Sequence, residues 1–478
     1  MQTTRRKFIK GAAAVSSFFI VPRHVLGRGF VAPSDKLNIA AIGSGGKGGS
    51  DIFNAFNGGA NNIVALCDVD KVQAAGSIGK FPNAAYYQDF RVMLEKERSI
   101  DAVTISTPDH MHALAAMTAM QLGKHVYVQK PMTHDIYEAR QLTEAARKYK
   151  MVTQMGNQGA SGAGTKQFKD WFDQGLIGTV SEAYIWTNRP VWPQGIPVPK
   201  GKFETPKDLN WNLWLGTAKS DLEYHPGYHP FKWRGWWDFG TGALGDMGCH
   251  LLDTPFRSLG LGYPTEVECS AGAVFTKDWT PEYIPEGCPP SSQVKLKFLA
   301  TEKNKSDVTM YWSDGGIRPF HPDLIPADDF MGDDDGSNGV MMIGTKGILM
   351  GGTYGTNPRV YLKDGSKILM PKKTPDPSVK ILPENGHQAM WAEACKAGFN
   401  SAEHKALTSS FDYAGPLTEA LLMGNLAIRS YNYRTPRATG NGFDYAGRKK
   451  LLWDGNNMKI TNFAPANDFV KREYRTGW

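Results

Sequence analysis

The densest set of chemically capable residues in the sequence is "WWDFGTGALGDMGCHLLDTP", residues 236–255. Gly240, Gly242 and Gly245 lead into a helix predicted to begin near Leu244. Asp246 and His250 then stand four residues apart on one helical face, with Asp253 three further on. A carboxylate beside an imidazole orients the ring and raises its proton affinity, and an imidazole of near-neutral pKa suits the removal of a hydroxyl proton. The second candidate is Lys130, in "VYVQKPMTHD", residues 126–135. It follows a short apolar strand, where an ammonium group can hold a substrate hydroxyl and stabilise the alkoxide that forms from it. Pro131 stiffens the turn that aims it.

These residues need a frame that brings strand ends together. The apolar run Leu37–Ile42 meets Gly43, Gly45 and Gly48 in G-x-G-x-x-G spacing before a predicted helix, the pattern of a dinucleotide-binding turn. "NIVALCDVD" supplies a second strand ending in Asp68, 25 residues after Gly43, placed to accept hydrogen bonds from ribose hydroxyls. Asp68 and Asp70 together repel a ribose phosphate and favour NAD over NADP, with Lys71 as the opposing charge. "DAVTIST", "HVYV" and "MVTQMG" continue as strands. "DHMHALAAMTAMQLG" and "HDIYEARQLTEAARKYK" read as the helices between them. Residues 36–155 are thus expected to form an α/β Rossmann domain, a doubly wound parallel sheet. Ligands bind such a sheet at the carboxyl ends of its strands. Thr107, Pro108, His110, Gln129, Lys130 and Asn157 join Gly43, Gly45, Gly48 and Asp68 as the expected cofactor contacts.

From 156 to 430 the pattern changes to an α+β domain with an open, mainly antiparallel sheet, for substrate binding or oligomerisation, and 431–478 reads as a mostly irregular basic tail. An insertion at 185–238 is crowded with tryptophan and tyrosine. Aromatic faces with polar tips suit pyranose rings, so Tyr228, His229, Trp236 and Trp237 are expected to touch a sugar. Packing of the sheet or of a subunit interface is the equal alternative for the tryptophans. His225 and His229 have the spacing of a metal pair, but Pro226 and Gly227 break the helix such a pair needs, so no metal is expected.

The order of the glycine fingerprint, "STPDHMHA", "VQKP" and "GDMGCHLLD" resembles the Gfo/Idh/MocA oxidoreductases over residues 36 to about 430. The resemblance implies that Lys130 is the catalytic lysine beside nicotinamide and substrate, His250 the general base and Asp246 its partner. It also implies sugars, inositols or their derivatives as substrates. Dimers or tetramers are common in the family, so a homo-oligomer is expected. Gln129 departs from the family's glutamate, which leaves the lysine in place but removes a local charge partner.

Composition narrows the setting. The chain has 478 residues and 41% apolar content, enough for two domains with cores. Its formal charge of +7 is spread along the chain rather than gathered in a stripe, so no nucleic-acid partner is expected. Five cysteines, at 67, 249, 269, 288 and 395, form no CxxC pair and argue against a disulfide framework or zinc knuckle. Residues 1–27 carry Arg5 and Arg6 before an apolar run from Gly11 to Val21. The run is too short to span a bilayer, and "TRRKFIK" resembles a twin-arginine export signal, with Val25-Leu26-Gly27 a loose cleavage site. Export machinery is then a partner and the periplasm the destination.

A periplasm offers no evident free NAD, so the cofactor is expected to travel tightly bound and to be regenerated in place. Three functions follow. The favoured one is a dehydrogenase that oxidises a ring hydroxyl of a sugar or glycoside, with C3 the preferred position, to a keto-sugar. The alternatives are a redox-neutral glycosidase that uses transient C3 oxidation and elimination, and a non-catalytic sugar-binding protein. The elimination route needs a further acid or base, for which Tyr228 and His229 are the candidates.

Overall fold

A computed structural model describes residues 36–219, 222–370 and 383–478. The export signal expected at 1–27 lies outside them. The first layer is a six-stranded, all-parallel sheet in the order β3-β2-β1-β4-β5-β6. Its strands are β1 (Asn38–Ile42), β2 (Asn62–Cys67), β3 (Ala85–Tyr87), β4 (Ala102–Ile105), β5 (His125–Val128) and β6 (Thr153–Met155). Helices alternate with them: α1 (Lys47–Phe56), α2 (Lys71–Lys80), α3 (Phe90–Lys96), α4 (Asp109–Gln121) and α5 (Ile136–Tyr149). The central strands are apolar on both faces because both are covered: Ile39, Ala40, Ala41 and Ile42 are all buried.

Local chemistry sets the helix starts. Asp70 caps α2 by accepting from the amides of Val72 and Gln73, and Asp89 caps α3 through Arg91 N. Asp135 and Glu138 form a reciprocal capping box on α5. Each cap follows directly on a strand-end loop, so the caps hold the edges where ligands bind.

The second layer is a ten-stranded sheet. In spatial order its strands are Lys367–Leu369, Arg359–Leu362, Gly347–Gly351, Gly339–Gly344, Val180–Trp186, Val308–Ser313, Ser292–Phe298, Glu266–Ala271, Leu451–Asp454 and Lys459–Ile460. The sheet is antiparallel except where Val180–Trp186 runs beside Val308–Ser313. The segment read as an irregular tail therefore contributes two of its edge strands.

Three further helices join the layers: α6 (Gly242–Leu251), α7 (Pro383–Ala397) and α8 (Phe411–Tyr431). Trp391, Ala392 and Cys395 of α7 are buried with Ala55 of α1, Ile39 and Tyr127, so a late helix covers one face of the first sheet. Leu244 of α6, Leu421 and Met423 of α8, and Val294 and Leu296 share a continuous core with the strands and helices of the first layer. This packing sets α6 opposite the carboxyl ends of β4 and β5.

Candidate active site

The glycine turn explains itself sterically. A Cβ on Gly48 would lie 1.9 Å from Gly43 O, and one on Gly45 would lie 2.7 Å from Gln73 O. Gly43 has φ +78° and lies against the Ser106 carbonyl at the end of β4. Asp68 Oδ2 accepts from the amides of Ser44 and Gly45, both at 2.9 Å, and Oδ1 accepts from Asp70 N at 3.0 Å. Burial raises the Asp68 pKa despite these three bonds. Asp68 thus holds the glycine loop as well as facing the cavity, a role its spacing did not reveal.

A cavity of about 560 Å³ lies at the carboxyl ends of the first sheet's strands, lined also by the insertion, by α6 and by Tyr354. One end is lined by Asp68, Val69, Gln88, Asp89 and Phe90, the middle by Gly43, Gly45, Gly46 and Lys47, and the far end by Lys130, Asp246 and His250. The residues present fit a dinucleotide. Gly46, at φ +50°, leaves open space where a side chain would stand, and an acid closes the strand after the glycine turn.

At the far end Lys130 Nζ donates to Asp246 Oδ1 at 2.7 Å and to the Asp246 carbonyl at 2.8 Å. Arg234 Nε donates to the same Oδ1 at 3.2 Å. Burial alone would raise the Asp246 pKa, but Lys130 and Arg234 hold this carboxyl well below the usual carboxylate range. His250 is 5% exposed, and its Nδ1 has no hydrogen-bond partner. Its pKa falls well below the ordinary value, first through burial and then through Lys130, with Asp246 opposing. Asp246 does raise this imidazole's proton affinity, as expected, but burial and Lys130 outweigh it, so the expectation of a near-neutral imidazole is corrected. The shared helical face holds, but the carboxylate turns to two cations, and desolvation dominates the ring.

Thr107, Pro108, Gln129, Lys130 and His229 also line the cavity, whereas Gly48 packs against the Gly43 carbonyl and does not line it. Five other expected contacts do not reach it. His110 is fully buried, with Nε2 bonded to Trp214 O and its ring against Phe239. Two residues on, His112 lies 2.7 Å from Pro131 O and 2.9 Å from Thr107 O, tying together the loops that carry Lys130 and Thr107. Asn157 is buried, and its neighbour Gln158 takes the lining position. Tyr228 and Trp236 pack with Trp214 and Phe239 in a separate apolar cluster, and Trp237 faces Arg429 in another cavity. Their size made burial more favourable than solvent contact at a rim. His229 donates its place to the frame: Nε2 lies 2.7 Å from Asp70 Oδ2. Among the described residues no group of three or more His, Cys, Asp or Glu is arranged to hold a metal.

Several lining residues had no sequence signal strong enough to single them out. Arg234 lies between Trp233, at 4.3 Å, and Phe231, at 4.5 Å, and only its aromatic company marks it. Trp192, Trp214 and Trp233 are the tryptophans of the insertion that reach the cavity. Tyr354 packs edge-on against His250, with ring centroids 4.7 Å apart. Its turn is braced by Asp333, which accepts from Thr353 N and Oγ1 at 2.8 Å each, so the acidic loop at 333–336 supports the site.

Residues 37–157 match the oxidoreductase family GFO_IDH_MocA, NAD-binding Rossmann fold, and residues 169–273 match that family's C-terminal alpha/beta domain. A D-glucoside 3-dehydrogenase of Escherichia coli (strain K12) is 25% identical over 229 residues, covering 48% of this chain and 55% of that protein. A glycosyl hydrolase family 109 protein of Solibacter usitatus is 36% identical over 127 residues, covering 24% of this chain and 28% of its own length. The chain thus spans about half, or less, of these two relatives. Among solved structures, an inositol dehydrogenase homologue from Azotobacter vinelandii, complexed with NADH and myo-inositol, aligns with a TM-score of 0.55 at 15% identity over 81% of this chain and 93% of its own. A levoglucosan dehydrogenase complexed with NADH and levoglucosan aligns with a TM-score of 0.54 at 15% identity, over 82% and 98% of the two chains. These two likenesses are of fold.

Proposed function

We propose that this chain is an NAD-dependent oxidoreductase, a reading supported by the Gfo/Idh/MocA matches over residues 37–157 and 169–273, and that it oxidises a ring hydroxyl of a sugar or glycoside, at C3, to a keto-sugar. The observation that carries the reading is the Lys130–Asp246 pair, 2.7 Å long, in one cavity with the unpartnered Nδ1 of His250. NAD, when bound, supplies the hydride acceptor.

Lys130 donates to the substrate hydroxyl and stabilises the negative charge that grows on its oxygen. Asp246 fixes where that ammonium stands, with Arg234 sharing the carboxylate. His250 is neutral at physiological pH because burial disfavours its charged form, so an imidazole nitrogen is available to take the hydroxyl proton. Trp192 and Trp233 give the far wall apolar faces for a pyranose ring. C3 oxidation draws its support from the D-glucoside 3-dehydrogenase relative. The twin-arginine pattern at 1–27 supports a periplasmic enzyme carried out by the twin-arginine machinery with its cofactor aboard. Pairing of two copies through the open face of the large sheet, where Glu268, Lys295 and Tyr311 are part-exposed, completes the reading as a homo-oligomer.

One observation favours the glycosidase as the second reading. Tyr354 adds a phenol beside His250, the further acid or base that elimination requires, while Tyr228 is buried elsewhere and His229 is held by Asp70. The purified protein is tested on an α- and β-glycoside panel with and without an artificial electron acceptor. Accumulation of a 3-keto glycoside with acceptor supports the dehydrogenase. Release of aglycone without acceptor selects the glycosidase. Bound NAD with neither product on any glycoside sinks both and leaves a binding protein.

A further inference from the structure

Trp478 lines the same cavity as Asp68, Gln88, Asp89 and Phe90, at the end away from Lys130 and His250. Asp68 marks this as the ribose end of the dinucleotide site. The segment that brings Trp478 there is pinned twice. Arg472 Nε donates to Glu138 Oε1 at 2.9 Å, its Nη2 donates to His110 O at 2.6 Å, and its own amide donates to Asp135 Oδ2 at 3.1 Å. Arg475 Nη1 and Nη2 donate to Asn212 Oδ1 and O at 2.9 and 2.8 Å, and its Nε donates to Gly216 O at 3.1 Å. The indole is then covered by Arg91, whose guanidinium lies 4.2 Å from the ring centroid and is itself held by Asp89 at 2.7 Å.

A second element approaches from the insertion. Asn210 N donates to Val69 O at 2.8 Å and Lys71 N donates to Asp208 O at 3.1 Å, placing Leu213 and Trp214 along the cavity. Arg475 bonds to Asn212 within the helix Trp211–Leu215, so the two coverings are joined.

We propose that Trp478 is the aromatic wall of the adenosine end of the NAD site, and that residues 471–478 form a strap that slows the cofactor's departure. An indole at the ribose end offers a π face to a purine, and an arginine behind it fixes the ring's position. This deepens the cofactor assignment and gives a physical means for the retention that export with a bound cofactor requires.

The test measures binding of NADH, AMP and nicotinamide mononucleotide to the parent, Trp478→Ala and Trp478→Phe proteins by titration calorimetry, with NADH release followed by its fluorescence. Trp478→Ala should weaken NADH and AMP by about tenfold and speed NADH release to match. Trp478→Phe should stay within about threefold of the parent, and nicotinamide mononucleotide should bind all three proteins alike. AMP binding unchanged in Trp478→Ala, or weakened in step with nicotinamide mononucleotide, would overturn the strap. A parent protein that binds none of the three would overturn the cofactor assignment and the strap together, which separates that failure from loss of the strap alone.

Discussion

The carboxamide of Gln129 donates from Nε2 to Oδ2 of Asp51 at 2.8 Å. Asp51 is buried within α1, and it also accepts from Ser106 Oγ at 2.9 Å and Gln388 Nε2 at 2.9 Å, with Lys47 paired at its outer side. One carboxylate thereby ties the glycine loop, the β4 loop, the Lys130 loop and α7 together. An amide at 129 is what this carboxylate requires, because a second carboxylate would meet it without a proton between them. The residue that departs from the family pattern is matched to its neighbour.

Gln129→Glu should therefore lower stability by about 2 kcal/mol at pH 8, with much of the loss recovered near pH 5 as the two carboxylates come to share a proton. Urea denaturation at both pH values measures this. The double variant Asp51→Asn with Gln129→Glu should recover the parent's stability at pH 8, since it restores one donor opposite one carboxylate.

Lys130→Met and His250→Ala should each lower kcat/KM on the responsive glycoside by about 10²–10⁴-fold while leaving AMP affinity within about threefold, because both residues stand at the far end of the cavity from Asp68. Asp246→Asn should cost less than Lys130→Met, since the lysine stays but loses its counter-charge. Steady-state kinetics beside calorimetry distinguishes this pattern from general damage.

Acid should destabilise the protein through its buried histidines. Burial lowers His110 to about 3, His387 to about 4, and His112 and His250 in the same direction, from an ordinary 6.5. Between 6.5 and these lowered values the unfolded chain takes up protons that the folded chain refuses, so stability is intact above about pH 6.5 and is lost as pH falls through this window. His387 alone accounts for roughly 3 kcal/mol of that loss by pH 4. Unfolding followed between pH 7.5 and 4 should show this slope, and kcat/KM should show no inflection near 6.5 from His250.

Gly48→Ala should abolish AMP binding or folding, because its Cβ would sit 1.9 Å from Gly43 O. Gly46→Ala, at φ +50° and ψ −120° with nothing within 4 Å of the added carbon, should fold with a loss of about 1–3 kcal/mol from backbone strain. Melting temperatures of the two variants, run together, check the contrast.

What the sequence by itself determined were features set by local periodicity and backbone need: the strands that end at Ile42, Cys67 and Val128, the glycines that no side chain can replace, and the helix that places Asp246 and His250 on one face. Those signals lie within a few residues of one another and report conformation directly. Only the tertiary structure decided partners. His110 and His112 stand about 200° apart around α4, so one enters an aromatic core and the other bridges two loops, a choice made by how the helix rotates against its neighbours. Likewise, Asp246 turned to Lys130 and Arg234 rather than to His250 because an unpaired buried cation is costly and a desolvated imidazole stays neutral at little cost. Tyr354, Arg234 and Trp478 reach the cavity from segments far apart in the chain, and no pattern along the backbone encodes which distant aromatic becomes a wall and which is spent filling the core.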